Sequence, residues 1–515
     1  KIAIVHFNDM HGHPLAFADH SVNNVSGLPA ITTMVYETRT EYDNVLVLDA
    51  GDFNTGRPES DFFKAEPMIV GYNLMQVDAV NLGNHEFDNS REVLEAQKEL
   101  ADFPMISANA LTLEAEYVAD APYIIKEFQG VKVGIFGLTT RETEIIGTPE
   151  YVKDVVFNDE IQTAQMMVST LKYSENCDVV IALVHMGIYS DPNTGSRALA
   201  AQVPGIDLIV DGHTHTKLTE PVRVDNGEKE VPIVSAYQWG LNVGKGVLMI
   251  EDKQVVDFAW FPVTINDKKV VKNADGTTSY ENLGPQFAQN VVVEERLLDY
   301  GYKVDAILKE QIGTCAYTFP NAMSRKAETE IGDLVADSML YYSKMIGFDV
   351  DFAINNGGGI RADMPEGAIT KKTAYTILPF DNTIRILTIK GADLKALFDF
   401  LPTIAQGKGA FPQVSDGVTF TINYDAGTCD DVMVGGAEID PERLYKVATN
   451  NYMADGGDGY VAFKKAVEFA ETNVFQRDAF IEYLKSFTEP VEPVIKGRIT
   501  ILGSKTAALW GFIVG

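Results

Sequence analysis

The 515-residue sequence lacks several features that mark particular classes of protein. It has no run of 18 or more apolar residues, and the apolar stretch 507–514 near its end is too short to cross a membrane. It has only three cysteines, Cys177, Cys315 and Cys429, and no Cys-x-x-Cys pair. A disulfide framework is therefore excluded, one bridge at most is possible, and three free thiols are expected.

Basic residues are also scarce, with 42 Lys and Arg against 73 Asp and Glu and a net charge of −31. A protein that binds nucleic acid polymers needs a basic face, and no Lys/Arg run occurs here. This argues against a nuclease. An anionic substrate would need positive charge from metal ions or from individual arginines.

The remaining composition, 46% hydrophobic and 22% charged, is that of a globular protein, and the length allows two to four domains. The chain begins at Lys1 and enters an apolar run at once, as expected after removal of a signal peptide.

Apolar runs rich in Val, Ile and Leu alternate with amphipathic stretches through the first half, which predicts an α/β domain with buried strands. The predicted strands are 2–7, 45–48, 79–82, 131–138, 179–184, 206–210 and 233–236, and the predicted helices include 28–40, 90–101 and 160–174. The polar stretch 264–280 is interpreted as a strand-poor surface excursion. A long amphipathic helix is predicted over 286–309. These features predict domains at 1–280 and 313–503, a linker helix within 281–312 and a tail at 504–515.

Five polar clusters directly follow apolar runs, and they contain six of the eight histidines. Loops past the strand ends of an open α/β sheet form its ligand crevice, so these five loops are expected to converge. Singly, each cluster is typical of a turn. Together they indicate a site, and their sequences are 6-HFNDMH-11, 49-DAGD-52, 83-GNHEFD-88, 185-HMG-187 and 211-DGHTH-215.

These oxygen and imidazole donors, without cysteine, suit divalent ions such as Zn, Mn, Co or Mg. The pattern predicts two ions that share the Asp52 carboxylate and together activate water for phosphoester hydrolysis. The predicted ligands of the first ion are Asp9, His11 and His215, and those of the second are Asn84, His185 and His213.

His85 directly follows the ligand Asn84, and Asp88 lies three residues further on. We predict a His85–Asp88 dyad in which His85 acts as general acid or electrophile near the leaving oxygen. His6 and His13 are expected to lie at the surface or to support the ligands without binding the ions.

Three motifs in the second half suggest a ligand pocket. Residues 355–361 (NNGGGIR) combine glycines, including Gly358, that allow close backbone approach with Arg361, which suits phosphate. Residues 378–383 (LPFDNT) and 451–460 (NYMADGGDGY) each place an aromatic ring beside turn residues, and two such rings could sandwich a flat base.

The ordered motifs of the first half resemble the calcineurin-like metallophosphoesterases. The stretch 51–61, with 65–67 and 238–240, is similar to bacterial periplasmic UDP-sugar hydrolases/5′-nucleotidases. The resemblance implies a four-layer α/β/β/α catalytic domain, a linker helix and a C-terminal α/β nucleotide-recognition domain. It further implies two divalent ions (Zn, Mn or Co), a nucleotide substrate, periplasmic or extracellular location, and domain motion about the linker.

The same resemblance implies the roles of the pocket residues. The base would lie between Phe380 and Tyr452, Asp458 would bind the ribose, Arg325 and Arg361 the phosphate, and Asn356 would lie near the substrate. The sequence departs from these relatives at three positions: His215 replaces Gln, Tyr452 replaces Phe and Glu330 replaces Asn.

The expected activity is hydrolysis of 5′-nucleotides to nucleosides and phosphate, extending to nucleotide diphosphate sugars. Two alternatives within the class share nearly all these residues: a 2′,3′-cyclic-nucleotide phosphodiesterase/3′-nucleotidase and a NAD pyrophosphatase. A remote alternative is an inactive nucleotide receptor, although a receptor needs neither the dyad nor seven ligands. Either a monomer or a dimer is compatible with the sequence.

Overall fold

The apolar runs of the first half form two six-stranded sheets. The computed structural model describes residues 1–19, 22–273, 277–492 and 494–505. The chain separates into two compact units, with the division between Val304 and Asp305, and both sheets belong to the first. From edge to edge, the first sheet contains Gln254–Thr264, Asn242–Glu251, Ile2–Phe7, Val45–Asp49, Ala79–Asn81 and Met105–Ile106. The second sheet contains Val222–Asp225, Glu230–Val234, Leu208–Asp211, Val179–His185, Val131–Thr139 and Tyr123–Phe128.

The two sheets pack face to face through fully buried aliphatic side chains, among them Ile4 and Leu46 of the first sheet and Ile135 and Ile181 of the second. Helices cover both outer faces. The first unit is therefore an α/β/β/α sandwich, and the predicted fold class is confirmed. Its helices are Leu28–Glu41, Pro58–Asp61, Glu66–Met75, Arg91–Leu100, Thr143–Ile146, Pro149–Val152, Glu160–Ser169, Gly195–Gln202 and Val291–Leu308, the last of which continues past residue 304.

Each of the seven predicted strands and the three predicted helices of the first half forms, with bounds shifted by a few residues. The expectation that 264–280 is poor in strands was wrong, because Lys268–Lys272 pairs antiparallel with Thr278–Asn282 as a two-stranded ribbon. Val270 and Val271 favour extended backbone despite the surrounding lysines. Two other small ribbons pair Phe17–Asp19 with Val22–Val25 and Ala110–Thr112 with Val155–Phe157.

The long helix predicted over 286–309 spans Val291–Leu308. Val293, Leu297 and Tyr300 pack into the core of the first unit, and the Tyr300 hydroxyl donates to Glu66 Oε1 at 2.6 Å. Its first half is thus anchored by apolar burial. Its role as a linker stays a prediction.

The second unit is also mixed α/β. Its five-stranded sheet contains Pro412–Val414, Phe352–Asn356, Leu444–Asn450, Thr383–Lys390 and Glu468–Phe475. Its four-stranded sheet contains Ala437–Glu438, Thr428–Val434, Val418–Asn423 and Ile499–Leu502, and a two-stranded ribbon pairs Gln311–Cys315 with Gly367–Thr370. Its helices are Glu330–Met345, Lys371–Ile377, Gly391–Phe400, Asn451–Ala454 and Gln476–Lys485.

Among the described residues, no helix has the length and apolar character needed to traverse a bilayer. All three cysteines are free thiols, with Cys177 and Cys315 buried. Of the tail predicted at 504–515, residues 506–515, and with them the apolar stretch 507–514, lie outside the described residues.

Candidate active site

The polar clusters of the first unit lie at the carboxyl ends of neighbouring parallel strands. In the first sheet, Ile2–Phe7 pairs in parallel with Val45–Asp49, which pairs in parallel with Ala79–Asn81. The loops after these strands carry four predicted ligands, Asp9, His11, Asp52 and Asn84.

The second sheet contributes the other three ligands in the same way. The strand Val179–His185 ends in the ligand His185 and pairs in parallel with Leu208–Asp211. The loop after Leu208–Asp211 carries the ligands His213 and His215. Contacts across the two sheets bring all seven predicted ligands into one cluster.

Five of the seven predicted ligands have left-handed backbone, which non-glycine residues rarely adopt. Such conformations cost roughly 1 kcal/mol or more each and persist where the surroundings enforce them, often at functional sites. The five are Asp9 (φ 51°), His11 (φ 42°), Asp52 (φ 60°), His213 (φ 81°) and His215 (φ 47°).

Backbone hydrogen bonds between loops hold these conformations. The Asp9 amide donates to the Gly51 carbonyl and the His11 amide to the Asp52 carbonyl, both at 2.9 Å. The Trp239 amide donates to the Asp9 carbonyl at 2.8 Å. The ligand loops therefore brace one another directly.

One group of ligating atoms lies around Asp9. His11 Nε2 is 2.9 Å from His215 Nε2, and His215 Nε2 is 3.5 Å from Asp9 Oδ1. Burial first, and then the neighbouring His215 and His85, hold the pKa of His11 well below its usual value. His11 is therefore a neutral imidazole, the form that binds a metal ion.

A second group of ligating atoms lies around Asp52 Oδ2. His185 Nδ1 donates to the Ala50 carbonyl at 2.8 Å, so in the neutral ring Nε2 is a lone-pair atom that faces Asp52 Oδ2 at 2.9 Å. Burial lowers the pKa of His185, but the Asp52 and Asp9 carboxylates outweigh burial and raise it to about 10. The Nε2 lone pair and the Asp52 oxygen would repel each other at this distance, so a cation, either a proton or a metal ion, is needed between them.

His213 is arranged similarly. Its Nδ1 is 2.9 Å from Asn84 Oδ1, and its Nε2 is 3.0 Å from Glu142 Oε2. A proton on Nε2 would satisfy Glu142 and leave the Nδ1 lone pair facing the Asn84 oxygen. At both His185 and His213, an imidazole lone pair faces an oxygen lone pair, and a divalent ion between the two atoms would bind both. Asp52 lies near His11 on one side and near His185 and His213 on the other, so its carboxylate connects the two groups of ligating atoms.

His85 and Asp88 form a tight pair beside this cluster. His85 Nδ1 lies 2.6 Å from Asp88 Oδ2, which also accepts a hydrogen bond from the Thr55 hydroxyl at 2.8 Å. Burial lowers the pKa of His85, but Asp88 and Asp52 raise it to about 10. One His85 ring nitrogen lies within 4.8 Å of ligating atoms of His11 and Asp52, so this imidazole can carry a proton to the cluster.

Glu86 was not predicted, yet it organises the loops around Asp52. Its Oε2 accepts from the amides of Asp52 (2.9 Å) and Gly83 (2.6 Å), and its Oε1 accepts from the amides of Phe53 and Asn54 (3.1 Å each). Burial and the Asp52 carboxylate raise the pKa of Glu86, while these amides oppose the shift. The only sequence signal was its place in 83-GNHEFD-88.

Two further residues, the unpredicted Asn8 and the predicted His13, support the ligand loops. The Asn8 side chain donates to Asp9 Oδ2 and to the Tyr237 carbonyl. His13 is buried, donates from Nδ1 to backbone carbonyls of its own loop and stacks on Trp239 with ring centroids 5.2 Å apart. These contacts agree with a supporting role for His13.

The second unit contains a cavity of about 340 Å³ that brings together all seven predicted substrate residues. Phe380 and Tyr452 are each 47% exposed, so both rings are accessible from the cavity. The Arg361 guanidinium carbon lies 5.7 Å from the centre of the Phe380 ring. The lining residues are Arg325, Asn356, Gly358, Gly359, Arg361, Phe380, Asn382, Gly409, Tyr452 and Asp458, of which the sequence reasoning did not select Gly359, Asn382 and Gly409.

Comparison with known proteins also divides the chain into two parts. Residues 2–217 match the family model for calcineurin-like phosphoesterases, and residues 311–465 match that for the C-terminal domain of 5′-nucleotidases. Protein UshA of Yersinia enterocolitica is 31% identical, covering 94% of this chain and 90% of that protein. The 5′-nucleotidase of Vibrio cholerae is 30% identical, covering 94% and 90%.

Among solved structures, the 5′-nucleotidase precursor of Thermus thermophilus aligns with a TM-score of 0.61 and 28% identity, covering 98% of this chain and 99% of that one. The two family models match the two units in order, and the similarity to these relatives extends over nearly the whole chain. The chain belongs to the 5′-nucleotidase family of calcineurin-like phosphoesterases.

Proposed function

We propose that the protein hydrolyses 5′-nucleotides to nucleosides and inorganic phosphate, using two divalent metal ions. The observation that carries this proposal is the Asp52-centred cluster with the His85–Asp88 pair beside it. The nucleotidase relatives support a nucleotide as the substrate class.

We further propose that Asp9, His11, Asp52 and His215 hold one ion and that Asp52, Asn84, His185 and His213 hold the other. Zn, Mn and Co are the ions that this donor set favours. Bound ions would supply Lewis-acid stabilisation of the phosphoryl charge and activation of water. They would also bring local positive charge to a chain whose net charge is −31.

His85 is proposed to act as the general acid. Water adds to phosphorus while the bond from phosphorus to the 5′-oxygen breaks, and His85 gives its proton to that departing oxygen. Asp88 holds the ring through Nδ1 and stabilises its protonated form. Another proton, released from the attacking water, restores His85.

The second unit is proposed to select the substrate. The half-exposed rings of Phe380 and Tyr452 suit stacking on a base, and Arg325 and Arg361 suit phosphate oxygens. Motion of one unit about the linker helix during turnover stays a prediction. We also propose a periplasmic or extracellular location, on the family resemblance.

Phosphate release and separation of the nucleotide products, both measured after metal restoration, test the proposal, because opening a cyclic phosphate or cleaving UDP-glucose frees no inorganic phosphate by itself. The protein is stripped with chelator, resupplied with single divalent ions, and given AMP, UDP-glucose or 2′,3′-cyclic AMP. We expect AMP to yield adenosine and phosphate only when an ion is present.

Two results would contradict the proposal in different ways. If 2′,3′-cyclic AMP is turned over and AMP is not, the protein is a 2′,3′-cyclic-nucleotide phosphodiesterase. If AMP binds but no ion restores turnover of any of the three substrates, the protein is a receptor.

A further inference from the structure

Tyr452 differs from a simple stacking ring because its hydroxyl group contacts Asp458 twice. Tyr452 Oη lies 3.2 Å from Asp458 Oδ1 and accepts a hydrogen bond from the Asp458 amide at 3.1 Å. A phenol hydroxyl has one hydrogen to donate and lone pairs to accept, so it can serve the carboxylate and the amide together.

The other oxygen of Asp458 is held independently. Asn356 Nδ2 donates to Asp458 Oδ2 at 2.8 Å, and Asn356 Oδ1 accepts from Asn450 Nδ2 at 3.0 Å. The second bond fixes which way the Asn356 amide points. Asn450 Oδ1 also accepts from the Met453 amide and caps the short helix Asn451–Ala454 that carries Tyr452. Ring and carboxylate therefore belong to one hydrogen-bonded network.

This arrangement leaves a defined acceptor pair. An ionised carboxylate offers about four lone-pair directions, two on each oxygen. Within the described residues, Tyr452 occupies one direction on Oδ1 and Asn356 occupies one on Oδ2. One acceptor position remains on each oxygen, which matches two adjacent hydroxyl groups such as those of a ribose.

The backbone around Asp458 explains why it needs such support. Asp458 has a left-handed φ of 55°, between Gly456 at 85° and Gly459 at 90°. The Tyr452 ring lies directly against Gly457, where an added Cβ would come within 2.6 Å of the ring atom Cζ. Without the hydroxyl, this strained turn loses the contact that fixes the Asp458 amide.

We propose that the Tyr452 hydroxyl is a positioning group that aims the Asp458 carboxylate at the vicinal hydroxyls of a ribose. The pocket thereby discriminates nucleotides with an intact 2′,3′-diol from those without it. The inference rests on the proposed function and on the ribose role that the family resemblance implies for Asp458, and it adds the part that the Tyr452 hydroxyl plays in that role.

The variant Tyr452→Phe tests this proposal because it keeps the ring and removes only the hydroxyl. Binding of AMP and of 2′,3′-dideoxyadenosine monophosphate is measured by calorimetry on chelator-stripped protein, which leaves the nucleotide intact, and phosphate release is measured on metal-supplied protein. We expect the Kd and KM for AMP to rise about 3- to 10-fold with kcat unchanged, the effect of one lost hydrogen bond. The dideoxy nucleotide should change by less than about twofold.

Two controls separate positioning from structure. Tyr317→Phe removes a hydroxyl from a tyrosine that is 63% exposed and lies outside the pocket lining, and it should leave both nucleotides unaffected. The double variant Tyr452→Phe/Asp458→Asn should bind AMP no more weakly than Asp458→Asn alone, because the hydroxyl acts through the carboxylate. A melting temperature close to wild type shows that the variant is folded.

Failure of this inference is distinguishable from failure of the proposed function. If wild-type protein binds AMP and Tyr452→Phe weakens both nucleotides equally or neither, the positioning role is wrong while the proposed function stands. If AMP binds without being hydrolysed, the activity is wrong and the contrast in Kd still decides the positioning role. If wild-type protein does not bind AMP, both are wrong.

Discussion

Five of the seven proposed metal ligands in the first unit are buried and five have left-handed backbone, whereas the two rings of the pocket in the second unit are nearly half exposed. The metal cluster depends on short side chains locked by loop-to-loop hydrogen bonds. The pocket instead leaves two aromatic rings accessible to solvent. This contrast suits a fixed centre for bond breaking in one unit and a tolerant surface for selection in the other.

Loss of the proposed general acid should have the largest effect. We expect His85→Ala to lower kcat for AMP by about 10²- to 10⁴-fold with little change in KM, the usual contribution of a positioned acid. Steady-state phosphate release measures both constants. Asp88→Asn should lower kcat less, since it keeps the imidazole. Equal kcat values for wild type and His85→Ala would remove His85 from the mechanism.

Replacement of Glu86 should have the next largest effect. A glutamine at this position presents an NH₂ group to backbone amides that now donate to the carboxylate, which should loosen the Asp52 and Gly83 loops. We expect Glu86→Gln to weaken metal affinity about 10- to 100-fold, as for other residues that orient ligands.

Equilibrium metal titration measures this affinity directly. Glu92→Gln, at an exposed site on the adjoining helix, is the matched control and should bind metal normally. An unchanged metal affinity in Glu86→Gln would show that the ligand loops hold their shape without this carboxylate.

Loss of a stacking ring should have a smaller and different effect. We expect Phe380→Ala to raise KM for AMP about 5- to 100-fold while kcat stays near wild type, because a stacked base contributes roughly 1–3 kcal/mol. Phe261→Ala, a similarly exposed phenylalanine in the first unit, should leave KM unchanged. A fall in kcat with unchanged KM would place Phe380 in the chemistry instead of in binding.

Much of the fold and of the candidate site could be predicted from the sequence, because the signals are local. Buried parallel strands are continuous apolar runs, such as 179–184, and the polar residues after them end up at one sheet edge. The seven proposed ligands therefore appear as short motifs next to recognisable strands. Their individual roles stay predictions.

The residues that sequence reasoning missed act through contacts that carry no local pattern. Glu142 reaches His213 from 71 positions away, and Glu86 acts on backbone amides, which look alike in every sequence. Gly409 enters the pocket lining through the packing of its loop against Gly358. The strand Lys268–Lys272 was missed because its three lysines make the segment polar overall, although it contains two β-branched residues.

One measurement tests the division between a catalytic unit and a selecting unit most directly. kcat/KM is measured in wild-type, His85→Ala and Phe380→Ala proteins for AMP and for ethyl phosphate. Ethyl phosphate has no base or ribose, but its leaving alkoxide needs a proton, as that of AMP does. We predict that His85→Ala lowers both values, whereas Phe380→Ala lowers the value for AMP alone. A Phe380→Ala protein that loses both activities to the same extent would contradict this account.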